Sequence, residues 1–439
     1  MPFHRRQILG LSVAAPFALS LRPALAANRA DVSREVLLTW HKLILELVRH
    51  TATYMPPVAA RAFAYVGVTA HEALASGNPA LRSLAGQLTG LAPLPARVPG
   101  DHDEPCVLHA ALNAVVLGLF ANTGPTGQRA MQKMGEIMGG TSSDGIAADV
   151  AARSVAHGQS IAAHILAWAA TDGGDKVENL GFPAEYTPGV QPQDWVPTSA
   201  VRLQQAPLLP GWGTNRPFAL TDIAALDAPA HPVYDEAAES DFFGFAREVY
   251  ETGKALTDQQ KLIARFWSDD AMLTPTPAGH WISIVMQIAD RDALPVEVIS
   301  AALAKLGVAQ ADAFISCWST KYRYNLLRPV TYIRRHIDKA WEPLLITPPF
   351  PEYTSGHSCQ SGAASTVLTA VFGDSFAFDD ATHEDDGLPV RSFPSFAAAA
   401  EEAAMSRLYG GIHFRFGNEA GLAQGRAVGA IAAALKTEA

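Results

Sequence analysis

Three short stretches near the C-terminal end carry the residues best equipped for chemistry. They are Lys321 with six residues before Arg328-Pro329, then Ser355-Gly356-His357, then Ser406-Arg407 with five residues before His413. Together they offer three cations, two histidines, a hydroxyl and a glycine amide. Such a set suits a tetrahedral oxyanion, phosphate or vanadate, which cationic donors and free amides bind through short charge-assisted hydrogen bonds. Arg407 supplies a bidentate donor, and His413 a neutral nitrogen able to attack phosphorus or ligate a metal. His357 stands beside the anion as acid or base.

Each stretch needs an element to hold it. A helix over 296–328 puts Trp318, Lys321 and Arg328 on one stripe, since spacings of three and ten fall within about 80° at about 100° per residue. Pro329 disfavours helical geometry at Arg328, so the arginine sits at a helix end. Ser355-Gly356-His357 follows Pro348, Pro349 and Pro351 and opens a small-residue helix from Ser358 to Val371. Free amides and a favourable dipole then face the anion. Ser406-Arg407 ends an Ala-rich helix over 397–405, and Gly410-Gly411 breaks it before His413. Beyond, Gly421, Gly425 and Gly429 make a smooth ridge for close helix packing.

Most of the remaining chain also carries helical periodicity, over 35–75, 146–170 and 257–268, where Thr257 and Gln260 have capping-box spacing. Strand-like alternation is scarce, so the expected fold is all-α, a two-lobed assembly of helical bundles. We expect an N-terminal helical lobe over 27–170, a Pro/Gly-rich connector over 171–232 that wraps a surface or lines a site, and a catalytic helical lobe over 233–439. Residues 76–106 form a second loop rich in Pro, Gly and Asp.

At 439 residues, 49% apolar and 17% charged, the chain can bury more than one ordinary core. A net charge of −10 argues against nucleic acid or an anionic membrane surface as partner. Residues 1–26 contain Arg5-Arg6, an apolar run through Leu21, and Ala24-Leu25-Ala26: a cleavable, twin-arginine-like export signal. Its apolar run is short for a membrane span, and no later stretch of about 18 residues is free of polar groups, so stable membrane insertion is not expected. The mature protein is expected in the periplasm or secreted. Cys106, Cys317 and Cys359 lack metal spacing; they allow at most one disulfide, and Cys359 is expected as buried packing.

The order Lys-x6-Arg-Pro, Ser-Gly-His and Ser-Arg-x5-His resembles the superfamily of type-2 phosphatidic acid phosphatases and vanadium-dependent haloperoxidases, by motif over 321–413. The resemblance implies an oxyanion held by Lys321, Arg328, Ser355, Gly356 and Arg407. In a haloperoxidase, His413 would ligate vanadium, His357 would assist proton transfer, and Lys321 would polarise peroxide, with hydrogen peroxide and a halide or small organic molecule as substrates. In a phosphatase, His413 would form a phosphohistidine and His357 would protonate the leaving group. Trp318 and Phe350 resemble the aromatics of a halide-side wall, and Phe266-Trp267-Ser268-Asp269 resembles bacterial haloperoxidase relatives, with Asp269 expected to pair with Arg407.

Two departures from the family pattern stand out. Thr354 replaces a Pro before Ser-Gly-His, and Gly417 replaces an Asp four residues after His413 that would orient the imidazole, a task left to Glu419 or a carbonyl. His280 is read as a satisfied surface histidine or, as the alternative, one that reaches the site from a loop, and His71, His157 and His164 are expected in packing or at the surface. Three readings therefore stand: a vanadate-dependent haloperoxidase, a phosphomonoester phosphatase on the same residues, and a non-catalytic phosphate-binding relic. Oligomeric state is left open by the sequence.

Overall fold

A computed structural model describes residues 29–179, 186–199 and 205–439, so the expected export signal lies outside the described residues. Among the described residues the chain is helical apart from loops and one small antiparallel hairpin, Phe378–Asp380 (β1) against Arg391–Phe393 (β2). The first half holds α1 Arg29–Arg49, α2 Pro56–Ala75, α3 Glu104–Leu119, α4 Pro125–Ser143, α5 Ala148–Ala169 and the short α6 Gly174–Asn179. The second holds α7 Asp241–Lys254, α8 Asp258–Phe266, α9 Thr276–Arg291, α10 Val296–Tyr324, α11 Pro329–His336, α12 Gly356–Phe372, α13 Phe396–Tyr409 and α14 Arg415–Ala433.

Local chemistry sets many of these boundaries. Pro56 and Pro57 divide the expected 35–75 helix, because a proline is tolerated in a first turn but not in a helix interior. The Thr257–Gln260 capping box forms at the start of α8. Helix α10 ends at Tyr324 rather than running to 328, since Asn325 takes a left-handed conformation with φ 49°. Arg328 therefore does not share a helix with Lys321; it is the extended N-cap residue of α11.

One apolar core takes side chains from α1, α2, α3, α9, α10, α12 and α13, on both sides of the Pro/Gly-rich stretch. Helices α2 and α10 approach closely through reciprocal glycines. A Cβ on Gly67 would lie 2.7 Å from Leu303 O, and one on Gly307 would lie 2.8 Å from Ala64 Cα. A second cluster joins α7 and α11 to Tyr353, Phe414 and Phe416. Helix α10 is long and apolar enough to cross a membrane, and most of it is buried inside this fold. The connector is pinned to α10 as well: Phe218, Ala219 and Leu220 amides donate to the buried Asp312 carboxylate at 2.6, 2.7 and 3.0 Å. Cys106, Cys317 and Cys359 are all buried and unbridged, so the allowed disulfide does not form.

The Gly421, Gly425, Gly429 ridge does what its spacing implies. Added Cβ atoms would lie 2.8 Å from Ser355 O and 2.6 Å from Ala363 O at the two ends, and would overlap Cys359 O in the middle. This contact lays α14 along α12 and sets His413, just ahead of α14, beside the start of α12.

Candidate active site

The three sequence stretches converge. His413 lies within the electrostatic reach of Arg328, Lys321, Arg407 and His357, brought there by α10, α11, α12 and α13. Lys321, Arg328, Ser355, Arg407 and His413 are all buried.

Arg328 hangs from the start of α11 and is held by carbonyls. Its Nε donates to Phe350 O and its Nη1 to Ile412 O, both at 2.8 Å. Nη1 also donates to His413 Nε2 at 3.0 Å. A guanidinium can only donate, so His413 Nε2 must be the unprotonated nitrogen. Its proton is then on Nδ1, which donates to Glu352 Oε1 at 2.8 Å. Burial first, then Arg328, Lys321 and Arg407, push the His413 pKa well below the usual histidine range. The imidazole is thus neutral, with a lone pair on Nε2.

Glu352 was not among the sequence candidates. Neither Glu419, which is exposed, nor a carbonyl orients His413. The Glu352 carboxylate also takes the Phe414 amide at 3.1 Å, and burial raises its pKa to about 7 against the pull of Lys321, Arg328 and that amide. Thr354 Oγ1 donates to Gln424 at 2.6 Å, and Gln424 donates onward to Ser316 and Thr320 at 2.9 Å each, which ties the Ser355 loop to α10 and α14.

Lys321 is held by backbone carbonyls. Its ammonium donates to the carbonyls of Pro351, Glu352 and Thr354 at 2.8, 3.0 and 2.5 Å, which accounts for all three protons. What it adds to the site is charge and loop shape. Burial lowers its pKa to about 8, and burial lowers those of Arg328 and Arg407 to about 10 each. Trp318 and Phe350 form one wall, their rings 5.0 Å apart. Lys321 Nζ lies 5.1 Å from the Phe350 ring and Arg328 Cζ 4.8 Å from it. The connector reaches this wall, because Trp318 Nε1 and Tyr322 Oη both donate to Leu208 O.

Ser355 caps α12, its Oγ accepting from Ser358 N and Ser358 Oγ, and Gly356 begins the helix. His357 has a backbone hydrogen bond to Trp267, while its buried Nε2 has no hydrogen-bond partner. Burial, then Arg407, keeps His357 well below the usual range and so neutral.

The expected Asp269–Arg407 pair does not form. Arg407 is claimed by Ser406 Oγ and the carbonyls of Ala264 and Trp267. Asp269 instead accepts from His280 Nδ1 at 2.9 Å and His383 Nε2 at 3.2 Å, and stands 3.8 Å from His357 Nε2. His280 is also no surface histidine: it is fully buried in the first turns of α9, and its Nε2 donates to Asp380 at 2.8 Å. Flanked by two acceptors, His280 is an imidazolium, raised despite burial to about 10 by Asp269 and Asp380. His71, His157 and His164 contact Arg82 O, Ser76 Oγ and Ala92 O, in keeping with packing roles.

These residues fit a bound oxyanion. Arg328 Nη2 is a buried donor with no hydrogen-bond partner, an arrangement costing about 1–3 kcal/mol or more that an anion's oxygen would relieve. Lys321 and Arg328 share the single Glu352 carboxylate, which leaves positive charge beside His413 for an anion to balance, while Arg407 also feels Asp269 and Asp270. His413 Nε2 offers a neutral lone pair for a vanadium or phosphorus centre.

The comparisons agree with this geometry. A family model for the VCPO second helical-bundle domain matches residues 301–438. Vanadium chloroperoxidase of Curvularia inaequalis is 26% identical, over 34% of this chain and 35% of that protein, so the chain matches about a third of this curated relative's length. Crystal structures of a bacterial vanadium-dependent chloroperoxidase share the fold, the holo form with a TM-score of 0.64 at 17% identity over 94% of this chain and 93% of that one. The structure of a bacterial vanadium-dependent iodoperoxidase superposes with a TM-score of 0.84 at 36% identity, covering 92% of this chain and 97% of that one. At that identity across nearly both full lengths, the chain belongs to the vanadium-dependent haloperoxidase family.

Proposed function

We propose that this chain is an exported vanadate-dependent haloperoxidase that oxidises a halide with hydrogen peroxide. The observation that carries the reading is the neutral Nε2 lone pair of His413, set by Arg328 on one side and Glu352 on the other among buried cations. His413 Nε2 would ligate the metal, and Arg328, Arg407, Ser355 and the first amides of α12 would hold the oxyanion. Bound vanadate would supply a Lewis-acidic centre that activates peroxide toward a halide.

The chain's own residues do the rest. Arg328 and Arg407 balance negative charge where little water competes. Lys321 braces the loop bearing Ser355 and His357 and contributes a third positive charge. Neutral His357 takes up a proton at Nε2 and returns it, and the nearby Asp269 carboxylate supports the charged form. Trp318 and Phe350 exclude water along one side. Iodide is the first halide to test, since the 36% identical relative is an iodoperoxidase. The twin-arginine-like start supports export to the periplasm or beyond.

A phosphomonoester phosphatase is the second reading. Glu352 favours it specifically, because an oriented, neutral His413 is also equipped to attack phosphorus. The deciding assay gives purified protein vanadate, peroxide and iodide or bromide, beside a phosphomonoester in vanadate-free buffer. Halide oxidation that requires vanadate is the expected result. Phosphate release without halide oxidation would replace the first reading with the second.

A further inference from the structure

We propose that Glu352 is the positioning residue for His413, and that it does from the Ser355 loop what a carboxylate at position 417 would do from α14. The proposal rests on the reading that this site binds an oxyanion. Two independent features of the geometry support it. Glu352 Oε1 accepts from His413 Nδ1 at 2.8 Å, and the Phe414 amide, one residue on, fixes the same oxygen at 3.1 Å. Gly417 leaves the carboxylate its room: an added Cβ would overlap Glu352 Oε1 and lie 2.9 Å from both Cδ and Oε2. Positions 352 and 417 therefore compete for one volume beside His413.

The consequence is chemical as well as steric. A histidine that ligates through Nε2 needs its proton on Nδ1, and a partner that accepts only from Nδ1 imposes that tautomer. Arg328 enforces the same choice from the other side by donating to Nε2. With Glu352 removed, Nδ1–H loses its acceptor and the ring is free to turn. Lys321 couples to the arrangement, since its ammonium holds the backbone carbonyls of Pro351 and Glu352.

The test compares wild type with Glu352→Ala, Gly417→Asp and the double variant Glu352→Ala/Gly417→Asp in the full chain. Vanadate affinity is read by equilibrium dialysis, folding by circular dichroism, and the His413 tautomer by nitrogen-15 NMR of histidine-labelled protein without vanadate. Glu352→Ala should weaken vanadate binding roughly tenfold to a hundredfold, the range for loss of an orienting partner. The double variant should recover affinity to within a few-fold of wild type and restore the Nδ1–H tautomer. Gly417→Asp alone should be less stable, with two carboxylates forced into one dry volume. A folded Glu352→Ala that binds vanadate as wild type does, or a folded double variant no better than Glu352→Ala, would overturn the assignment. Should Glu352→Ala not fold, the double variant decides the matter alone by its affinity and tautomer. A wild type that binds vanadate yet oxidises no halide would end the haloperoxidase reading and leave this test intact.

Discussion

His413 is buried and His357 half-buried, and both are neutral imidazoles, yet their surroundings give them different work. His413 Nε2 receives a donor from Arg328 and its ring is locked by Glu352, as a ligand requires. His357 Nε2 has no hydrogen-bond partner, so it is free to exchange a proton. His413→Ala should therefore lose bound vanadate, whereas His357→Ala should keep it within a few-fold and lose turnover by roughly a hundredfold to ten-thousandfold, the range for a general acid–base group. Equilibrium dialysis beside halide oxidation separates the two; equal loss of vanadate in both variants would contradict the division. The types of these residues were legible in the sequence, because each sits in a short motif. Glu352 was not, since it meets His413 from 61 residues away, where the packing of α14 on α12 and the Arg328 bridge between Phe350 and Ile412 bring the two loops together.

At the level of elements, the glycine ridge of α14 was legible because a spacing of four residues is local to one helix face. Its test is Gly425→Ala, which pushes a methyl group into the Cys359 carbonyl and should cost about 1–3 kcal/mol in denaturant unfolding, with vanadate affinity falling as α14 shifts. Unchanged stability would mean α12 and α14 have slack the close contact denies. The hairpin that delivers Asp380, and the turn that delivers His383, show the opposite case. Strands of three residues leave no readable period, so His280 looked like a surface residue when it is the buried cation between two aspartates.

That cluster makes a pH-dependent contribution. Asp269, held far below its ordinary value of 3.8 by His280 and His383 despite burial, stabilises the fold above about 3.8 and loses that contribution as pH falls. His280, raised from 6.5 to about 10, contributes fully below 6.5 and loses it as pH rises through about 10. The pair is therefore strongest between about 4 and 6.5. His280→Gln removes the cation between two buried carboxylates and should cost about 3–5 kcal/mol in that window, with a smaller deficit toward pH 10. A deficit independent of pH would show that His280 packs there uncharged.

Across the whole molecule, helical content followed from periodicity, while the contact of the connector with Trp318 is one of the two placements its composition left open. The sharing of one core between the two halves did not, because the α2–α10 contact depends on Gly67 and Gly307, which lie 240 residues apart and have no common motif (307 − 67). All of this architecture serves one arrangement: buried cations around a neutral histidine. Protein stripped of vanadate and titrated with it, while iodide oxidation by hydrogen peroxide is followed, tests that arrangement most directly. Turnover should be absent at the start, rise with added vanadate, saturate at one vanadate per chain, and be abolished in His413→Ala. Iodide oxidation that ignores vanadate, or survives in His413→Ala, would contradict it.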